Sequence, residues 1–422
     1  MLRKSFLLLA FAISAAAQQP KTIVLKAARL FDGTSDAVTK NAVVVIEGNR
    51  IKSIGGAVPA GAQVIDLGDA TILPGFIDAH THIASEFSGD WYRDFFDNTM
   101  REPAEQAHYA ALYARRTLDA GFTTIRDLGS NDFEDVGLRN AINDGIAVGP
   151  RILAAVHAIG STGGHSDNDP IPPSRTRQWG PLEGICNGPD ECRAAVRYQI
   201  KYGADVIKFM PSGGVLSLAD PVDAPELSQE EMNAIVEEAH HWERKVAAHC
   251  HGDIAAKMAI QAGVDSIEHG SFLKPDTLEL MKAKGVYLVP TLSPVEMEKT
   301  HKFPPPIQIK ADAASKSVER MFKDALRIGV KIAFGTDAGT YAHGTNAKEF
   351  GYLVSRGMTP AAALRSATQT DAQLLGVTDR GTIEAGKLAD IVAVPGNPLD
   401  DIHVTERVVF VMKDGVVVKN TK

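Results

Sequence analysis

Cysteine is scarce in this chain of 422 residues. There are three, at positions 186, 192 and 250, too few for a disulfide framework or a thiolate metal cluster. Positive charge is not in excess either: Lys and Arg number 44 against 52 Asp and Glu, a net charge of −8. With no basic run standing out, nucleic acid is not expected as a partner. Beyond the first 17 residues no apolar stretch is long enough to cross a bilayer. These absences leave a globular chain long enough for one large domain of α/β-barrel size and a smaller one.

The first residues are the exception to the missing apolar runs. Met1-Leu2-Arg3-Lys4, then SFLLLAFAIS, then Ala15-Ala16-Ala17 have the basic start, short apolar stretch and small-residue cleavage site of a secretory signal. Residues 1–17 are therefore expected to be removed, leaving a mature chain that starts near Gln18, is exported to a periplasm or medium, and has no membrane segment. In such a compartment Cys186 and Cys192, which flank the helix start Gly188-Pro189-Asp190-Glu191, either pair or stay as two free thiols. Cys250, between His249 and His251, reads as a small buried side chain.

Strand patterns fill both ends of the mature chain. TIVLKAARL, AVVVIEGNRIKSIGG and AQVIDLG come first; ADIVAVPG and ERVVFVMKDGVVVK come last, with Asp414-Gly415 as a hairpin signal. Residues 18–73 and 381–422 are thus expected to meet in one small β-sandwich. Between them, residues 74–380 alternate strands and helices. The strand candidates are TILPGFIDAH, GFTTIRDLG, PRILAAVHA, ADVIKFM, KVAAHC, VDSIEHG, VYLVPTL and KIAFGTD. Helical stretches fall at 103–119, 189–202, 228–243 and 311–328, and Thr359-Pro360 to Gly376 has a hydroxyl cap, an N-terminal Pro and a terminal Gly. This pattern predicts an α/β fold, a (β/α)8 barrel. The alternative, an open doubly wound sheet, places a ligand at one switch point.

Chemistry-bearing residues close several of those strands: His80 and His82, Lys208, His249, His269 and Asp337. Residues i and i+2 of a strand point to one side, so His80 and His82 are able to share a metal ion. Alone, a His-x-His is weak evidence, and a strand-end Lys is usually solvated. A parallel barrel, however, gathers the C-terminal ends of its strands around one pocket, so the series as a whole points to a metal site. His240 and His241 lie on a charged helix and read as surface residues; His343 is left open.

The runs PGFIDAHTH, VIKFMPSGG, AAHCHG, SIEHG, GTDAG and GTIEAGKLADIVAV closely resemble the amidohydrolase superfamily. They look most like its binuclear branch of imidazolonepropionase-related Xaa-dipeptidases, prolidase-like peptidases and ochratoxin-hydrolysing amidases. The resemblance covers nearly all of the mature chain, and the intervals from Lys208 to His249 to His269 agree with that branch. It implies two divalent metal ions. His80, His82 and Asp337 would hold the buried one, His249 and His269 the more exposed one, and Lys208, as N6-carboxylysine, would bridge them. An ammonium would repel two cations, whereas a carbamate offers them two anionic oxygens. Imidazole and carboxylate donors suit zinc, with manganese or another divalent ion as the alternative. Such a pair lowers the pKa of a bridging water and polarises a carbonyl, and Asp337 would carry the proton from water to the leaving amine.

On the substrate side, the loop from Ala158 to Asp167 resembles the family's glycine-rich loop. Gly163 and Gly164 would permit close backbone approach to a ligand, and His165 would hydrogen-bond a substrate carbonyl or carboxylate. Ser212-Gly213-Gly214 would cover the bridge in the same way. One departure is Glu226-Leu227-Ser228, where relatives often carry an aromatic before the serine cap. The implied activity is hydrolysis of an amide bond to a C-terminal amino acid in a small-molecule dipeptide or N-acyl amino acid, ochratoxin A included, by an enzyme expected to be a homo-oligomer. A cyclic-amide hydrolase or a deaminase of the same superfamily is the alternative, and an inactive binding protein a third reading; the bridging lysine argues against mononuclear deaminases.

Overall fold

The computed structural model describes residues 22–167, 171–218 and 220–422, and the expected export signal lies outside them. Five strands open the described chain: β1 (Thr22–Leu30), β2 (Thr39–Glu47), β3 (Arg50–Ile54), β4 (Gln63–Asp66) and β5 (Ala70–Pro74). Seven follow in the middle: β6 (Phe76–Thr81), β7 (Phe122–Asp127), β8 (Arg151–Ala154), β9 (Val206–Phe209), β10 (Lys245–Cys250), β11 (Ser266–His269) and β12 (Tyr287–Val289). Three close it: β13 (Ile391–Pro395), β14 (Phe410–Lys413) and β15 (Val416–Asn420).

The two chain ends meet in one hydrogen-bonded sheet of order β15-β14-β13-β5-β1-β2-β3. It forks at β1, which pairs with β4 through Ile23–Lys26 and with β5 through Arg29–Leu30. Side-chain alternation sorts the two faces. Ile391 and Ala393 of β13 join Leu25, Val44, Ile46 and Phe410 in the sheet's own core, while Val392 and Val394 join the barrel's core. The interface between sheet and barrel is thus made by alternate residues of the same strands.

The middle strands run parallel in two groups, β6-β7-β8 and β9-β10-β11-β12. Single bridges join the groups at both seams. Ile159 exchanges hydrogen bonds with Lys208 and Met210, and the segment from Lys331 to Ala338 bonds to Leu288 on one side and to Ala79 and His80 on the other. That segment, the expected eighth strand, is not a regular strand. Phe334 N–H goes to a side chain instead, donating to Asp371 Oδ1 at 3.0 Å, and Thr336 N–H is shared between Asp78 Oδ1 at 3.1 Å and the His80 carbonyl at 3.3 Å.

The expected first strand, TILPGFIDAH, is split at Gly75. Its first half stays in the chain-end sheet as β5, and β6 enters the barrel with every residue buried. The helix α1 (Trp91–Met100), capped by Asp90, precedes α2 (Pro103–Asp119), which covers the expected 103–119 with Pro at its first position, and the expected 228–243 is the helix Gln229–His241, which Ser228 and Glu231 cap reciprocally. The late helix is interrupted by a π-turn at Ser366–Thr370, just before Asp371. Cys186 and Cys192 form a disulfide, and Cys250 is a buried free thiol.

Gly75 is the tight point of this layout. A Cβ there would stand 2.7 Å from Thr123 Cγ2 and closer still to its Oγ1. Gly75→Ala should therefore cost about 1–3 kcal/mol through overpacking and lower the Tm; a Tm equal to that of the parent would refute the tight junction.

Candidate metal centre

Strand geometry brings the separated residues of the sequence to one place. His80 comes from β6 and His82 from just beyond it, Lys208 from β9, His249 from β10, His269 from the end of β11, and Asp337 from the end of the eighth segment. His82, Lys208, His249, His269 and Asp337 line a cavity of about 360 Å³, with His80 fully buried beside them. Asp337 Oδ1 lies 3.4 Å from His80 Nε2 and 3.3 Å from His82 Nε2. The His249 and His269 rings are 4.5 Å apart, and those of His80 and His269 5.0 Å.

Among the described residues, three buried polar atoms at this point have no hydrogen-bond partner: His80 Nε2, His249 Nε2 and Asp337 Oδ1. Unpartnered buried donors and acceptors are destabilising, so their convergence on one point is the arrangement a cation would complete. The opposite ring nitrogens are anchored. His80 Nδ1 is 2.8 Å from Glu268 Oε2, His82 Nδ1 is 2.9 Å from the Gly129 carbonyl, and His269 Nδ1 is 2.6 Å from Thr291 Oγ1. A carboxylate or carbonyl accepts only from an N–H, which leaves the Nε2 lone pairs of His80 and His82 for a ligand. Donor atoms of His80, His269 and Asp337, and separately of His249, His251 and His269, all lie within 4.8 Å of one another. Neutral imidazole with carboxylate is a donor set that fits a divalent ion.

Electrostatics favour the same state. Burial holds the His80 imidazole down to about 4, and His249 and His269 well below their ordinary range, so these rings are neutral near pH 7, as metal ligation requires. For Asp337, burial alone would raise the carboxyl, but His80, His82 and Lys208 outweigh it and keep it low. Burial lowers the Lys208 amine to about 8 against the pull of Glu268 and Asp337, and among the described residues it makes no hydrogen bond or ion pair. Behind the site, Arg126 donates to Glu268 Oε1 at 2.9 Å and to the Ala79 carbonyl at 2.6 Å.

The backbone here is held in uncommon conformations. His269 (φ 68°), Thr291 (φ 44°) and Asp337 (φ 59°) are left-handed without being glycine, a costly state that persists where surroundings impose it. Gly335 and Gly339 make room for the ligands: a Cβ on them would stand 2.8 Å from His80 Cβ and 2.6 Å from His82 Cβ.

The substrate loop differs from expectation. His165 lines the cavity, stacks on His249 at 4.5 Å, and holds Ser217 Oγ with Nδ1 at 2.8 Å. Gly163 and Gly164 do not line the cavity. Gly163 is an exposed left-handed turn residue whose N–H donates to Asp167 at 2.8 Å, and Gly164 sits where a Cβ would be 2.9 Å from Glu226 Cδ. They let the loop fold onto Glu226, which accepts the His165 amide at 2.9 Å. Gly214 packs directly under the His165 ring. Leu227 is turned into the barrel core. His240 and His241 are exposed, whereas His343 is buried with Nε2 2.8 Å from the Ser85 carbonyl.

Sequence reasoning missed His251, Glu268, Arg126 and Thr291. His251 had a signal: it stands two residues after His249, the spacing already used for His80 and His82. Glu268 and Arg126 were visible as lone charges in the apolar runs VDSIEHG and GFTTIRDLG, though nothing local indicated their pairing.

The amidohydrolase family model matches residues 71–418. The chain is 33% identical to the ochratoxinase of Aspergillus niger over 96% of this chain and 88% of that protein. The crystal structure of A. niger ochratoxinase aligns with a TM-score of 0.85 at 32% identity over 96% of each chain. A crystal structure of a Xaa-Pro dipeptidase with methionine bound in its active site gives a TM-score of 0.90 at 41% identity, covering 95% of this chain and 100% of that one. A prolidase complexed with N-methylphosphonate-L-proline gives 0.85 at 31%, with coverage of 95% and 100%.

Removing Glu268 should expose how much rests on it. Glu268→Ala leaves the Arg126 guanidinium buried and unpaired, which should cost about 3–5 kcal/mol in denaturant unfolding. It should also weaken zinc binding by the metal-free protein by about 10–100-fold in calorimetry. Unchanged stability and affinity would show that His80 is held by packing alone.

Proposed function

Since the chain belongs to the amidohydrolase family, we propose that it is a binuclear metallohydrolase that cleaves an amide or peptide bond to a C-terminal amino acid, in a dipeptide or N-acyl amino acid. The observation that carries this reading is the convergence of three unpartnered buried atoms, His80 Nε2, His249 Nε2 and Asp337 Oδ1, at the base of a cavity beside a buried lysine amine. His80, His82 and Asp337 would hold one ion and His249 and His269 the other, with Lys208, carboxylated, between them. The ions would supply Lewis acidity to the attacking water and to the substrate carbonyl.

The protein's own groups do the rest. Asp337 is kept ionised by its histidine neighbours and has an oxygen free at the cavity base, so it takes a proton from the water and returns it to the leaving amine, which departs badly as an anion. His165 stands in the cavity wall above His249, placed to orient a substrate oxygen. The outer walls are apolar, with Trp91, Val215, Val295 and Phe303 among their residues, which suits a substrate with a hydrophobic side chain. A Xaa-Pro dipeptidase at 41% identity and an ochratoxinase at 33% support acyclic amides over the cyclic ones that imidazolonepropionases, similar at 25–27%, would suggest. Export with loss of residues 1–17 belongs to the same reading, and a Cys186–Cys192 disulfide is at home in an oxidising compartment.

Purified without chelators, the protein should carry two divalent ions per chain by elemental analysis. Lys208→Ala should retain fewer and lose activity, with acetate or formate restoring part of it by supplying carboxylate oxygens. A fixed stoichiometry of one in the parent protein would overturn the binuclear assignment.

With zinc loaded, a panel of dipeptides and N-acyl amino acids should be hydrolysed, and Asp337→Asn should lower kcat by about 10²–10⁴-fold with the fold retained. Turnover of hydantoins or dihydropyrimidines in place of the acyclic panel would replace this reading with the cyclic-amide one.

A further inference from the structure

The loop that carries His165 contributes to the walls of two cavities. His165 and Asp167 line the main one, whereas His157, Ala158 and Ser166 line a second, of about 290 Å³, which also takes Asp132 and Glu134 from the loop after β7. A side chain in such a wall keeps its direction only if something behind it is fixed. For His165 the backbone and the ring have separate anchors. Glu226 accepts the backbone N–H, at 2.9 and 3.0 Å from its two oxygens. The ring meets Ser217 Oγ, 2.8 Å from Nδ1, and lies against Gly214, where the space of a Cβ is taken by the imidazole.

Both ring anchors belong to the loop that follows β9, and both are held through their carbonyls by one side chain. Lys310, on the helix Pro305–Ile328, donates from Nζ to the carbonyls of Gly214 at 2.7 Å, Ser217 at 2.6 Å and Asp220 at 3.1 Å. Asp220 closes the loop on itself by accepting the Gly214 N–H at 2.7 Å, and its Oδ1 lies 3.9 Å from the same ammonium. Hydrogen bonds from a charged donor are stronger than those from a neutral one. The Lys310 side chain is only 12% exposed, so water competes little for it.

An apolar contact joins the same loop to the same helix. Val215 clusters with Ile307, Ala311 and Ala314, apart from the main core. Ile307, Lys310, Ala311 and Ala314 are spaced at three and four residues and share one helix face. That face therefore meets the loop with an apolar contact and an ammonium side by side. Val215, Leu216 and Ser217 then line the main cavity, while Lys310 does not.

We propose that Lys310 is a positioning residue for substrate binding: through the carbonyls of Gly214 and Ser217 it holds the loop after β9 against the His165 ring, and so fixes the direction in which that imidazole meets the substrate. The proposal rests on the amide-hydrolase reading above for the part His165 plays, whereas the bracing of His165 by Lys310 stands on the contacts alone.

The test uses zinc-loaded protein throughout. Lys310→Met keeps the reach of the side chain and removes its donors; Ser217→Ala keeps the Lys310 bonds and cuts the link to the ring. On an amide that the parent hydrolyses, each should raise KM fivefold or more with kcat changed less than threefold. Combined with His165→Ala, neither should add to it: KM of each double variant should match that of His165→Ala within twofold, because coupled residues are not additive. Multiplied effects in the double variants, or an unchanged KM in Lys310→Met, would overturn the proposal. Should Lys310→Met not fold, Lys310→Gln takes its place with the same expectations.

Hydrogen exchange read by mass spectrometry needs no turnover. In Lys310→Met it should quicken threefold or more in both 213–217 and 160–167, and in Ser217→Ala in 160–167. Acceleration confined to 213–217 in Lys310→Met would show that Lys310 braces its own loop without reaching His165, and would also overturn the proposal. If the parent hydrolyses no amide, the hydrolase reading falls and exchange still decides the bracing. Hydrolysis with KM and exchange unchanged in the variants leaves that reading standing and removes the positioning role.

Discussion

A single buried carboxylate organises the middle of this protein. Glu268 stands between the Arg126 guanidinium and the His80 imidazole, all three essentially removed from solvent. Desolvating such charges is expensive, and their attraction offsets it only when the remaining hydrogen bonds are filled. Here they are: Arg126 reaches the Ala79 carbonyl and Ser266 as well as Glu268, and Ser266 also bonds Glu268. Arg126 holds the Glu268 carboxyl down to about 2 against burial, with His80 adding to the effect. It therefore stays an anion, able to accept only from His80 Nδ1–H. The tautomer of His80, and with it the free Nε2 at the site, follows from an arginine on β7, the strand paired with β6.

Much of this was legible from the chain and some was not, for physical reasons. Strand ends carrying His80, His82, Lys208, His249, His269 and Asp337 announced themselves because a barrel converts sequence position along a strand into depth, and all six fall at or next to the C-terminal end of a barrel strand or strand-like segment. The α2 helix and the serine-capped helix at Gln229 were readable because their signals are local. The irregular eighth segment was not, since its amides donate to the carboxylates of Asp78 and Asp371, residues 258 and 37 positions away. The surroundings of Gly163 and Gly164 were not legible for a related reason. Composition says that a loop turns tightly but not what it turns against, and here the loop packs on Glu226, more than sixty residues on.

The two cavities divide the rim by chemistry. Loops after β9 and β12 bring Val215 and Val295, and with them Trp91 and Phe303, to the main cavity; loops after β7 bring Asp132 and Glu134 to the other. Such loops are free to vary without disturbing the strand ends beneath them, so the strand-end donor atoms and the cavity walls have separate structural supports. His165 is the exception, because it belongs to a loop yet stacks on His249, and the orientation of that loop is fixed by Glu226 and the absence of a side chain at Gly214.

The split of the first predicted strand at Gly75 couples the chain ends to the metal centre. β5 is hydrogen-bonded to β13 over Pro74–Ala70, and one residue beyond Pro74 the same backbone becomes β6, which delivers His80. Opening the chain-end sheet would pull on the strand that holds the first ligand, and filling the site would draw that strand tight. By linkage, an ion bound at the base of the cavity would protect amides at the far end of the molecule. The C-terminal strands, which touch no donor atom, would thus share in the free energy of ion binding, and hydrogen exchange in β13 would gauge occupancy at a site they never contact.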